Sequence, residues 1–146
     1  MAKIEDFLTA EEENSIIEAI RTSERNTSGE IRIHLENSSK IKDAYDRAAT
    51  IFDMLNMENT RQRNGVLIYV AVEDRTLVIL GDKGINDKVD PFFWESTKDI
   101  IIDHFKKNEM GKGLVEGVLK AGEQLKKYFP AKKGDTNELP DDISIG

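Results

Sequence analysis

Arg63–Ile85 reads RNGVLIYVAVEDRTLVILGDKGI: two apolar runs, Val66–Val72 and Thr76–Leu80, joined by Glu73, Asp74 and Arg75. Val66, Leu67, Ile68, Tyr69 and Val70 favour extended backbone and show no polar alternation. Such a run predicts a strand covered on both faces. The short polar connection turns the second run back as its antiparallel neighbour in a hairpin. Gly65 precedes the first strand, and Gly81 and Gly84 follow the second. A hairpin buried on both faces needs helices on both, and the flanking sequence supplies them.

Thr9 stands three residues before Glu12, the spacing of a capping box, with Phe7 or Leu8 as the hydrophobic staple. Glu11, Glu12 and Glu13 then complement the positive end of the helix dipole, and Ile16, Ile17 and Ile20 form its apolar stripe. A second helix is predicted over 43–56, with Tyr45, Ala48, Ala49, Phe52 and Leu55 along one side. Met54 and Met57 read as core filler. Asp90 and Pro91 suit the start of a third helix, with Phe92, Phe93, Trp94, Ile101 and Phe105 in the core. A fourth spans about 112–129 and ends at Pro130. Its Gly113, Gly117 and Gly122 lower helix propensity, which predicts close packing against a neighbour.

Gly29–Glu36 alternates, with Ile31, Ile33 and Leu35 on one face and Glu30, Arg32, His34 and Glu36 on the other. This predicts a strand with one wet face, near a sheet edge. The order is helix-strand-helix-strand-strand-helix-helix. A right-handed crossover makes the first two strands parallel. The fold class is therefore α/β: a three-layer α/β/α sandwich with a small mixed sheet. Residues 1–130 are expected to form one domain, and 131–146 a flexible C-terminal tail.

The net charge of −7 over 146 residues argues against a nucleic-acid partner and for divalent cations or a basic protein surface. Without cysteine there is no disulfide, thiolate metal site or cysteine nucleophile. The N-terminal residues lack the apolar core of a signal peptide, and no stretch approaches the ~18 apolar residues of a membrane span. The expectation is a soluble, cytoplasmic protein with no direct membrane insertion.

The topology also predicts which loops meet. Thr27–Glu30 and Arg63–Gly65 start the two parallel strands, and Gly81–Gly84 leaves the third strand at that same pole. Ligands of open α/β sheets usually sit at the opposite pole, here Glu36–Ser39 and Glu73–Arg75. The loop chemistry favours the first. Glu30, Asn64, Asp82 and Asp87 offer oxygen ligands to a hard cation such as Ca²⁺ or Mg²⁺. Turn formation alone would also account for Arg-Asn-Gly and Gly-Asp-Lys-Gly. His34 and His104 read as surface or helix-edge residues, and the glycines match no nucleotide-binding loop.

TSGEIRIHL, RNGVLIYVAVEDR, LGDKGI, HFKKNEMGKGLVEGV and the closing KYFP, in that order, resemble the TPM-domain family over about residues 7–130. The resemblance implies an α/β/α sandwich and recurrent divalent-metal binding, with Asn64, Asp82 and Glu30 as the positions to watch. Among members, one in the thylakoid lumen has been assigned acid phosphatase activity, and another modulates a cell-surface receptor. Two functions follow as expectations. One is a cation-binding accessory or interaction module with a possible protein partner; the alternative is a metal-assisted acid phosphatase acting on phosphomonoesters.

Overall fold

The computed structural model describes residues 7–39, 42–131 and 143–145. Helix α1 (Ala10–Arg25) begins at the expected capping box: the Glu12 amide donates to Thr9 Oγ1 at 3.0 Å, and the Thr9 amide to Glu12 Oε1 at 2.9 Å. Strand β1 (Glu30–Glu36), helix α2 (Ala44–Met54), strands β2 (Gly65–Ala71) and β3 (Thr76–Gly81) and a one-turn helix α3 (Lys83–Asn86) follow. Helices α4 (Glu95–Lys106) and α5 (Met110–Tyr128) precede a short strand β4 (Ser144–Ile145). The sheet order is β3-β2-β1-β4. β1 runs parallel to β2 and β4, and β3 antiparallel to β2.

Ile31, Ile33, Leu35, Val66, Ile68 and Val70 face one helical layer, packed with Ile16 and Ile20 of α1, Ile101 of α4 and Leu114, Val118 and Leu125 of α5. Leu67, Tyr69 and Ala71 face α2 through Ala48, Ile51 and Phe52. β2 is thus buried on both sides, as its apolar run requires, and the three-layer sandwich is formed. The glycines of α5 do set close packing. A Cβ at Gly117 would lie 2.4 Å from Ile101, and one at Gly122 would lie 2.5 Å from Ser23.

Four expectations change. β1 has no wet face: it does lie near the sheet edge, beside the two-residue β4, but all seven of its residues are buried. A strand paired with a two-sided neighbour is covered by the same helices. The start of α4 moves to Glu95, because Phe93 N bonds Asp90 O and Glu95 N bonds Phe92 O in successive three-residue turns. Phe92 accordingly leaves the core and is 73% exposed. In α2, Tyr45 and Met54 point outward, while Met57, just beyond the helix, is fully buried. Finally, Ser144 and Ile145 of the expected tail pair with His34 and Leu35. Residues 132–142, also assigned to that tail, lie outside the described residues.

Candidate cation site and buried polar network

Glu30, Asn64 and Asp82 meet at one pole because the backbone sews their loops together. Glu30 N donates to Asn64 O at 3.4 Å, Asp82 N to Gly65 O at 2.9 Å, and Gly84 N to Arg63 O at 2.8 Å. Glu30 and Gly65 are register partners, so Glu30 and Asp82 flank Gly65 from its two neighbouring strands. A side chain at Gly65 is excluded, since its Cβ would sit 2.9 Å from the carbonyl oxygen of Met57. Gly84 is required for a similar reason. Its Cβ would fall 2.0 Å from Gln62 O and 2.6 Å from Arg63 O, both backbone atoms.

Each side chain has a distinct environment. Asn64 is 1% exposed; its Nδ2 donates to Ser28 Oγ at 3.2 Å, while its Oδ1 has no hydrogen-bond partner among the described residues. Buried acceptors are normally satisfied, so this oxygen is the unusual atom of the site. Asp82 caps α3 through Lys83 N at 2.7 Å and receives Arg63 bidentately, at 2.8 and 3.0 Å. Arg63 adopts φ 51°, a left-handed conformation costly for a non-glycine residue, which aims it at this carboxylate. Glu30 is buried. Asp87 does not join the group: it is largely exposed and pairs with Lys83 Nζ at 3.0 Å.

Among the described residues, no three His, Cys, Asp or Glu side chains are grouped for metal ligation. A cation here would rely on an amide oxygen as much as on carboxylates. Asn64 Oδ1, Glu30 and Asp82 are oxygen donors of the kind that Ca²⁺ or Mg²⁺ takes. Arg63 already neutralises Asp82, so a cation would have to displace its guanidinium. The sequence brings Ser28 and Arg63 to this pole in their loops, but not their bonds to Asn64 and Asp82. The positively charged residue in Arg-Asn-Gly was the available signal.

The opposite pole has spent its polar groups internally. Asp74 Oδ2 accepts from Ser38 Oγ and Ser39 N, both at 3.0 Å, and these bonds hold its carboxyl below the usual carboxylate range. Val72 N and Glu73 N close onto Glu36 O and Asn37 O.

Beneath that pole lies a network that the expected wet face of β1 concealed. Glu36 accepts bidentately from Arg47 at 2.9 Å, and also from the Tyr69 hydroxyl. His34 Nε2 lies 3.4 Å from Glu36 Oε1, its Nδ1 lies 2.9 Å from Ser144 Oγ, and its ring stacks on Tyr69. His34 is thus 4% exposed rather than a surface residue. His104, the other histidine, contacts Glu109 at 2.9 Å.

Burial lowers the pKa of His34 from 6.5 despite the hydrogen bond to Glu36, with Arg47 and Arg32 also opposing a second proton. Burial alone would raise Glu36, but hydrogen bonds from Arg47 and Tyr69 outweigh it and hold the carboxyl below 4.5. In both residues the folded state binds its proton less readily than the unfolded state. Their contributions are complete above 6.5 and 4.5 respectively and fade as pH falls through the lower folded values. Urea unfolding should therefore show stability declining once pH drops below 6.5, and His34→Gln should flatten the upper part of that decline. Identical pH profiles for the two proteins would contradict the assignment to His34.

The fold and its polar pole define a class: a small α/β/α sandwich whose parallel strands begin beside the buried polar residues Glu30, Asn64 and Asp82. The chain belongs to the TPM domain family (TPM_phosphatase), which it matches over residues 2–124. Among solved structures, it is similar to the BA42 protein from the psychrophilic bacterium Bizionia argentinensis sp. nov., with 59% identity, 100% of both chains covered and a TM-score of 0.92. It also resembles in fold the N-terminal domain of a P. gingivalis protein, at 20% identity and a TM-score of 0.69, covering 84% of this chain and 79% of that one. No curated protein gives a significant match. Among the described residues, no helix is long and apolar enough to cross a membrane.

Proposed function

We propose that this TPM domain binds a hard divalent cation, Ca²⁺ or Mg²⁺, at the pole formed by Glu30, Asn64 and Asp82, and acts as an accessory or interaction module. The observation behind this reading is Asn64 Oδ1, a fully buried acceptor with no hydrogen-bond partner among the described residues. Leaving such an atom unmatched costs about 1–3 kcal/mol, and a cation would recover it. The ion would also draw on Glu30 and Asp82 and release Arg63 toward solvent. The bound cation supplies positive charge at the surface of an otherwise acidic protein, which lets this pole dock onto anionic groups.

Titration with Ca²⁺ or Mg²⁺ should move the amide resonances of Glu30, Asn64 and Asp82. Asn64→Ala and Asp82→Asn should each weaken binding by about tenfold or more. Resonances that stay in place at millimolar cation would rule the site out. Turnover of a phosphomonoester that required the cation and was lost in Asp82→Asn would give the ion a catalytic role instead of a docking one.

A further inference from the structure

β3 is the outermost strand on its side of the sheet, and no described strand pairs with its free edge. Natural edge strands are usually blunted by charge, proline or a bulge. Thr76–Leu80 (TLVIL) has none of these: it is uncharged, and its register with β2 runs unbroken from Ala71↔Thr76 to Val66↔Gly81. The edge opens into a groove of about 380 Å³. Asp43 and Tyr45 at the start of α2 line one wall, and Trp94, Glu95 and Lys98 at the start of α4 the other.

The walls select the occupant. They leave Leu77 buried and Thr76, Val78 and Ile79 half-buried, although these lie on an outer strand. Two such recessed edges cannot meet without their walls colliding, which disfavours a second copy of the chain. A single extended segment fits, because strands pair at about 4.8 Å and carry side chains alternately up and down. Asp43 and Glu95 outnumber Lys98 among the charged lining residues, and the whole chain carries −7, so the groove favours cations. Tyr45, 55% exposed, adds apolar and cation-binding surface to the groove.

From this geometry we infer that β3 receives an extended peptide segment, apolar and basic in alternation, as an added strand of the sheet. Main-chain hydrogen bonds to β3 supply affinity; the basic side chains, all on one face, turn to the α4 wall, where Glu95 selects for positive charge, and the apolar ones turn to Tyr45 on the α2 wall. The surface is separate from the cation pole, and the inference does not depend on the cation reading.

The probe is a capped peptide alternating valine and lysine, about eight residues long so as to span β3. Its binding should shift the amides of Thr76–Ile79 and the Trp94 indole N–H, and should slow hydrogen exchange along β3. The same peptide N-methylated at every residue loses the donors of both its edges and should bind about tenfold more weakly or worse. A glutamate-for-lysine version should fail to bind, and Glu95→Lys should weaken the original peptide several-fold. Unmoved β3 amides at millimolar peptide, or equal affinity of the N-methylated form, would overturn the proposal. So would β3 shifts that depend on protein concentration without peptide, since these would assign the edge to a second copy.

Discussion

Ile68→Asp is expected to abolish cooperative unfolding. Ile68 is fully buried at the centre of β2, between β1 and β3. The substitution forfeits roughly 1.5–3 kcal/mol of apolar burial. It also leaves a carboxylate with no partner, at about 3–5 kcal/mol. Together these approach the whole stability of a typical domain, about 5–15 kcal/mol. Circular dichroism across a thermal ramp reads the outcome. Ile68→Val, costing about 0.5–1.5 kcal/mol, should still melt cooperatively and shows whether the position tolerates change in general. Near-wild-type melting of Ile68→Asp would contradict the two-sided burial of the hairpin.

The second large effect belongs to Glu36. Its carboxylate holds Arg47 and the Tyr69 hydroxyl in a strand that is buried throughout. Glu36→Ala leaves the phenol without its acceptor and Arg47 without its counter-charge, for an expected loss of about 3–5 kcal/mol in urea unfolding. Glu36→Gln retains one acceptor and should lose less, about 1–3 kcal/mol. Because the partners share one carboxylate, Glu36→Ala combined with Tyr69→Phe should cost less than the sum of the two. A Glu36→Ala protein within ~0.5 kcal/mol of the parent would make the network a decoration of the fold rather than part of its core.

The hairpin was legible because apolar density over Val66–Val72 admits few interpretations. The capping box at Thr9 and the close-packing glycines of α5 were legible because each motif has one mechanical use. In β1, alternation of polar and apolar residues does not mean solvent. Glu30, Arg32, His34 and Glu36 alternate with Ile31, Ile33 and Leu35, yet they lie inside. The information was present in a different form: once β2 is covered on both faces, its parallel neighbour must be too. The polar side chains of β1 then had to be an internal network. What could not be read was their partners, since Arg47 lies on a helix and Ser144 more than a hundred residues away. The start of α4 was missed because Asp-Pro suits both a helix cap and the turns found over residues 91–94. At the candidate site, convergence of the Glu30, Asn64 and Asp82 loops followed from strand directions. The hold of Arg63 on Asp82 depends on a backbone angle that no residue pattern announces.

Glu12 has a second duty beyond its cap on Thr9: its Oε2 accepts from Gly111 N at 3.0 Å, 99 residues away. Close beside the same helix, Ser28 N bonds Phe129 O and Thr27 bridges to Pro130. The first helix is therefore fastened chiefly by the last one, beside its contacts with β1. On a ribosome adding about 5–20 residues per second, α1 would wait on the order of 5–20 s for its partner. During that interval it is an amphipathic segment with its apolar stripe bare, while the hairpin can already form from neighbours in sequence. Completion of the domain thereby waits for α5 to emerge, and until then the apolar stripe of α1 is the part of the fold most in need of protection.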